Sequence, residues 1–324
     1  MVALNEPLLA QLAERLARQQ VSGLRPLAGG ASSLTYAGQC RDRRVVVKVA
    51  PPGVAPIAHR DVLRQARIIK ALGPTPVPVP VLLFEDPGDP PHVPPLFVMS
   101  FLDGIGGEPL FDDGDAGPED VVGERFRDAA ATLARLHSLD PGGIGLSDET
   151  VSGPFDEVER WCRTMETVDP ALVPRWRDVA AVLRRSAPPA LPPAIVHGDF
   201  RLGNLLADGS RVTAVIDWEI WSVGDPRVDA GWFLINCDPR TYQRPTRYSS
   251  AVPPVDELAA VYCEEMKSEV PELDWFRALA CFKSSATWSL IVKHNRRRNS
   301  PDPELEAMTA VLPRLLLRAD ELLS

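Results

Sequence analysis

Two spacings of apolar residues organise this chain. Near its start Leu8, Leu12 and Leu16 recur at helical intervals, with Asn5 placed to cap and Pro7 in the first turn, so a short helix is expected. From Leu24 to Val49 the pattern becomes strand, glycine turn, strand and strand, with Gly29-Gly30 as the interruption. The run Arg44-Val45-Val46-Val47-Lys48-Val49 is β-branched and apolar, which predicts a buried strand with one cation near its end. Asp61 to Leu72 returns to helical spacing, with Val62, Ala66 and Ile69 on one face and Gly73-Pro74 as the stop. Pro76 to Pro80 alternates Pro and Val and predicts an extended connector. Val81 to Glu85 and Leu96 to Leu102 predict two further strands.

Beyond Gly123 the helical spacing takes over. Phe126, Ala129, Leu133 and Leu136 line a helix expected from Arg125 to Leu139, and Trp161 and Trp176 mark others. Ala194 to Ala230 breaks the pattern with short strands and polar loops, and Val255 to Leu323 is helical again. No internal repeat is visible. The expected class is α+β: a sheet-rich part over residues 1–102, then a larger helical part over 103–324, with the acidic stretch Asp112 to Asp120 as a loop or junction.

Composition narrows the class further. With 324 residues, 45% hydrophobic and 24% charged, the chain has the balance of an ordinary globular protein. It has no apolar run of membrane length, and Met1 to Leu16 lacks a secretory pattern, so neither a membrane partner nor export is expected. A net charge of −9 argues against a nucleic-acid binder; it suits a cationic substrate or simply a solvated acidic surface. The five cysteines (Cys40, Cys162, Cys237, Cys263 and Cys281) are scattered, with no C-x-x-C pair, so no zinc site or disulfide framework is indicated and a reducing cytoplasm is expected.

The densest chemistry lies in His197-Gly198-Asp199-Phe200-Arg201-Leu202-Gly203-Asn204. An Asp and an Asn five positions apart match the spacing of a kinase catalytic loop. Phosphoryl transfer needs a carboxylate to orient the attacking hydroxyl and accept its proton, and Asp199 suits that task. It also needs oxygen ligands for magnesium near the phosphates, and Asn204 offers one. The other reading is a polar loop with an Asx turn. Downstream, Thr213 to Ile216 is a buried strand that ends in Asp217, one hairpin after the loop, with Asp208-Gly209-Ser210 as its turn. Asp217 is a second metal ligand, or else a turn residue. Lys48 is either a cation for the nucleotide phosphates or a snorkelling strand end. The Gly29-Gly30 turn with Ser32 and Ser33 offers backbone N–H groups to phosphate, yet lacks the full G-x-G-x-x-G spacing and resembles many hairpins.

These motifs together resemble the aminoglycoside phosphotransferase and choline kinase superfamily, a branch of the protein-kinase-like two-lobed fold. The likeness runs from about Leu24 onwards. The phrase VHGDFRLGNLL…VIDWEIWSVGDPRVDAGWFL is similar to the phosphotransferase domains related to acyl-CoA dehydrogenase-linked kinases. The resemblance implies ATP or GTP and Mg2+ as cofactors and a small-molecule hydroxyl as substrate. It implies Asp199 as catalytic base, Asn204 and Asp217 as metal ligands, and Lys48 as the phosphate-binding lysine. Arg201 would touch the γ-phosphate or bridge to a nearby acid. Ser100, Phe101 and Leu102 would form a hinge whose backbone pairs with the nucleobase, or an ordinary core strand. Asp229 would accept N–H bonds from the catalytic loop, or cap a helix. In the substrate lobe Tyr242, Arg244, Arg247 and His294 to Arg298 would meet an anionic substrate or mark a solvated basic helix end. One departure stands out. Where the family carries a glutamate paired to the strand lysine, this chain aligns Gln65, so Lys48 is expected to lean on the Gln65 amide oxygen or on Asp61. That substitution keeps a second reading open, a nucleotide-binding pseudokinase or regulatory module. A protein kinase is disfavoured, since the loop carries His197-Gly198-Asp199 in place of an H-R-D loop, and D-F-G and A-P-E elements are missing.

Overall fold

The computed structural model describes residues 6–27, 33–111, 114–243 and 246–324, the side chains of residues 6–8 excepted. Along the chain run helix α1 (Glu6–Ala17) and strands β1 (Val21–Pro26), β2 (Leu34–Cys40) and β3 (Arg43–Val49), followed by α2 (Val62–Leu72), β4 (Leu82–Asp86) and β5 (Leu96–Ser100). Then come α3 (Glu119–His137), β6 (Val151–Ser152), α4 (Pro154–Met165), α5 (Trp176–Arg185), β7 (Ala194–Val196), β8 (Leu205–Asp208), β9 (Arg211–Val215) and β10 (Ser222–Gly224). The chain ends in α6 (Arg227–Asn236), α7 (Pro239–Tyr242), α8 (Val255–Met266), α9 (Leu273–Asn295), α10 (Pro303–Ala307) and α11 (Leu312–Leu322). This is the expected α+β class. The described residues up to Ile105, with Leu205–Asp208 and Val212–Trp221, form one compact unit; the remaining described residues form a second.

The first unit is built on an antiparallel sheet of order β1-β2-β3-β5-β4. The period of two along β3 decides what faces where. Val45, Val47 and Val49 are fully buried and share a core with Leu12 and Leu16 of α1 and with Leu96 and Val98 of β5. Lys48 therefore points to the opposite face, where it meets α2. That helix starts at Val62 because the Asp61 carboxylate accepts the N–H groups of Leu63 and Arg64, each at 3.1 Å. Such an N-cap contributes about 1 kcal/mol. The last expected strand is shorter than its sequence reading: β5 ends at Ser100, not Leu102. Beyond it Asp103 pairs with the Arg44 guanidinium, which also lies 4.3 Å over the Phe101 ring.

In the second unit α9 is the central element. Its residues from Trp275 to Ala286 are all buried, as expected of a helix apolar on every side. It packs against α4, α5, α6 and α11. The crossing with α6 is close because Gly231 carries no side chain: a Cβ there would stand 2.4 Å from the Phe276 carbonyl oxygen. A small sheet of order β6-β10-β7 leads into the loop after β7. α3 begins at Glu119, so the last two residues of the expected acidic loop belong to a helix; Asp112 lies outside the described residues. Among the described residues no helix is long and apolar enough to cross a membrane. All five cysteines are free thiols.

Candidate active site

Two clusters of polar side chains stand out, one in each unit. In the first, Lys48 donates to Gln65 Oε1 at 3.1 Å and to Asp217 Oδ1 at 2.9 Å. Gln65 is only 2% exposed, and its Nε2 has no hydrogen-bond partner among the described residues. Asp61 is not the second partner of Lys48; its carboxylate is engaged in the α2 cap, and Asp217 takes that place. Asp217 sits just past β9 at φ +66°, a left-handed conformation that costs a non-glycine residue energy and recurs where a side chain is held for function. The surrounding chain is tied to α2. Arg64 lies 4.0 Å over the Trp221 ring and donates to the Trp221 carbonyl at 2.6 Å, while the indole donates to the Arg64 carbonyl at 3.0 Å. Ile69, Phe97, Met99 and Trp218 wall the small cavity beside Lys48.

In the second unit the loop after β7 is clamped at its backbone. The fully buried Asp229 accepts the N–H groups of His197 and Gly198, the latter at 2.9 Å. Burial raises the Asp229 pKa, but His137, His197 and Lys283 outweigh it and hold the carboxyl below its ordinary range. His137 is itself fixed by the Tyr262 hydroxyl at 2.7 Å. Gly198 adopts φ +87°, open to glycine alone without strain. This clamp presents Asp199, whose Oδ1 accepts the Trp232 indole N–H at 2.9 Å and whose Oδ2 accepts the Asn204 amide at 2.8 Å. The Arg201 Nε lies 3.3 Å from both oxygens. The Asn204 Nδ2 is thus spent on Asp199, to its backbone carbonyl and its Oδ2, each at 2.8 Å.

Asp199 lies in a cleft of about 610 Å³. Phe111, Trp232, Tyr242 and Trp288 form much of its wall, and its charged lining residues are Glu108, Asp199 and Arg201. Glu108 Oε2 accepts from the Gly203 N–H at 3.0 Å and lies 3.4 Å from the Arg201 guanidinium. Burial pushes its carboxyl up to about 7, against the opposing pull of Arg201 and the Gly203 amide.

Around the nucleotide candidates, Gly29, Gly30 and Ser32 lie outside the described residues, and Ser33 is buried. The Ser100 amide donates to the Val81 carbonyl and the Phe101 amide to Arg44, both within the sheet. Of that trio only the Leu102 amide lies beyond these pairings. In the second unit Arg247 pairs with Asp115 and Arg296 with Glu306, while Tyr242 lines the cleft; Arg244 is outside the described residues. Sequence reasoning missed Glu108, Trp232 and Lys283. Lys283 had a visible signal: it is one of five lysines and sits in the middle of an apolar helix. Among the described residues no group of three or more His, Cys, Asp or Glu side chains forms a metal cage. The Asn204 amide oxygen in the second unit and the Asp217 carboxylate in the first are each hard oxygen donors of the kind Mg2+ takes.

Comparison with known proteins bears on the family and the fold. Mouse acyl-CoA dehydrogenase family member 10 is 28% identical over 283 residues, covering 82% of this chain and 26% of its own. Human acyl-CoA dehydrogenase family member 11 is 29% identical over 298 residues, covering 86% of this chain and 37% of its own. The chain thus spans well under half the length of these relatives. Among solved structures, a putative aminoglycoside phosphotransferase from Ralstonia eutropha JMP134 superposes with a TM-score of 0.78 at 19% identity, over 97% of this chain and 98% of its own. A thermostable mutant of aminoglycoside phosphotransferase APH(4)-Ia, in ternary complex with AMP-PNP and hygromycin B, gives 0.63 at 16% identity over 97% of each chain. The fold is thus the kinase-like α+β fold of these enzymes. Residues 23–269 match the family as a whole, and the chain belongs to the phosphotransferase enzyme family.

Proposed function

We propose that the chain transfers the γ-phosphoryl group of ATP or GTP to a hydroxyl group of a small molecule. The observation that carries this reading is Asp199: a partly exposed carboxylate, oriented by Trp232, Asn204 and Arg201, at the wall of a cleft of metabolite size. Its role is to orient the acceptor hydroxyl for in-line attack and to receive its proton. Arg201 offers its charge to the transferring phosphoryl group. Lys48, steadied by Gln65, is the cation for the α- and β-phosphates, and the Leu102 amide is the hinge donor to the nucleobase. Residues 1–102 are the nucleotide-binding lobe in this reading, and 103–324 carry the catalytic loop and acceptor site. Asn204 and Asp217 are the proposed magnesium ligands, chosen by the chemistry of their oxygens and their place along the chain. Magnesium, when bound, neutralises charge that develops on the phosphates.

The acceptor is an alcohol whose hydroxyl hangs from an apolar or planar body, since the cleft offers aromatic walls and few charges. The acyl-CoA dehydrogenase relatives favour a hydroxyacyl compound or another metabolite hydroxyl. An aminoglycoside such as the hygromycin B bound to the APH(4)-Ia structure would meet too few carboxylates. Free thiols suit a reducing compartment such as the cytoplasm. Gln65 is the one observation for the second reading, a nucleotide-binding module without turnover.

The test is Asp199→Asn in the purified chain with magnesium-ATP or magnesium-GTP and a library of alcohols. It should keep nucleotide affinity and lower kcat by roughly 10²–10⁴-fold. Near-normal turnover in this variant sinks the assignment; nucleotide binding without turnover in wild type moves the chain to the module reading.

A further inference from the structure

Lys283 is a buried cation without a carboxylate partner in contact. It is 5% exposed, and none of the ion pairs among the described residues includes it. Isolated buried ammonium groups are costly and are kept where they have work to do. Burial lowers its pKa, while the charges of Asp199, Asp229 and Glu157 act to restore it. Its Nζ donates to the Gly198 carbonyl and lies 4.0 Å from the centre of the Trp232 ring. Trp232 in turn donates its indole N–H to Asp199 Oδ1 at 2.9 Å.

We propose that Lys283 is a positioning residue for Asp199, acting through the Gly198 carbonyl and the Trp232 indole. This rests on Asp199 being the base. The ammonium grips the loop backbone at a second point: Asp229 takes the amides of His197 and Gly198, and Lys283 takes the carbonyl of Gly198. Gly198 is thus held from both ends in its left-handed conformation, which fixes the direction in which Asp199 leaves the loop. Over the indole face, the cation draws electron density from the ring and strengthens the N–H donated to Asp199. Lys283 does not line the cleft, so it touches neither acceptor nor phosphate. The close α6–α9 crossing at Gly231 and Phe276 is what brings Trp232 and Lys283 together.

The experiment compares wild type with Lys283→Met, Lys283→Arg and Trp232→Phe. Magnesium-ATP hydrolysis is the activity readout, with water standing in for the acceptor. The chain is labelled with ¹⁵N-tryptophan, and the peak missing in Trp232→Phe identifies the Trp232 indole. Lys283→Met should leave the KM for magnesium-ATP within about threefold, lower kcat by about 10–100-fold, as loss of other outer partners does, and move the Trp232 indole resonance upfield. Lys283→Arg should restore most of both. An unmoved Trp232 resonance in Lys283→Met, or a KM effect without a kcat effect, overturns the proposal. If wild type neither binds nor hydrolyses ATP, the kinase reading fails, yet the indole resonance still decides whether Lys283 organises the loop. Should Lys283→Met not fold, Trp232→Phe carries the test: it keeps Lys283 and cuts its link to Asp199, so unchanged kcat there also overturns the proposal.

Discussion

Glu108 shows how one side chain can tie stability to pH in this fold. It is 4% exposed, and its carboxyl rises from 4.5 to about 7, first because burial opposes its charge. Between those values the native state holds a proton that the unfolded chain has lost. Stability is therefore fullest below about 4.5 and falls as pH rises to about 7, by an amount on the order of 3 kcal/mol for a shift of that size. Glu108→Gln should flatten this slope, measured by urea unfolding at a series of pH values. A slope equal to that of wild type would show that Glu108 titrates normally. Lys48 was readable from sequence because a charge in a β-branched run is conspicuous, and its Gln65 contact from the resemblance, which aligns Gln65 where the family carries a glutamate. Its bond to Asp217 was not, because no local pattern joins positions 169 residues apart.

At the scale of elements, helices and strands were legible wherever one face alone is buried. The three alternate valines of β3 and the Val62, Ala66, Ile69 stripe of α2 fall where their periods place them. α9 is different: it is buried all round, so its sequence announces a core helix but not which neighbour each face meets. Gly231 supplies the missing information only in three dimensions. Its Cα faces the Phe276 backbone, and a methyl group would overlap the Phe276 carbonyl oxygen and carbon, at 2.4 and 2.5 Å. Backbone cannot swing aside as a side chain does, so α6 and α9 must separate. Gly231→Ala should cost about 1–3 kcal/mol in urea unfolding, offset only slightly by the better helix propensity of alanine. It should also lower turnover, because the two helices carry Trp232 and Lys283. Wild-type stability together with wild-type turnover would show that the crossing has room to spare.

At the scale of the whole molecule, charge and cleft pull in different directions. A net charge of −9 attracts cations at long range, and that attraction weakens as salt shortens the Debye length. Inside the cleft the balance differs. Asp199 is accompanied by Arg201, Glu108 is pushed toward neutrality at about 7, and the remaining wall is largely aromatic. A polycation entering there would shed water without gaining several ion pairs, a desolvation cost that few contacts offset. An alcohol on a flat or aliphatic body would instead bury apolar surface against Phe111 and Trp288, gaining about 25 cal/mol per Å² removed from water. The expected ranking in a magnesium-ATP phosphotransfer assay is therefore neutral aryl or alkyl alcohols, including hydroxyacyl compounds, above aminoglycosides. Their KM should change little between 50 and 500 mM salt, whereas any aminoglycoside turnover should fall across about that range. Trp288→Ala should raise the KM of the preferred alcohol by about tenfold while leaving the KM for ATP unchanged, as loss of roughly 1–1.5 kcal/mol of stacking predicts. An aminoglycoside preferred at every salt concentration, with Trp288→Ala without effect, would place acceptor recognition outside this aromatic wall.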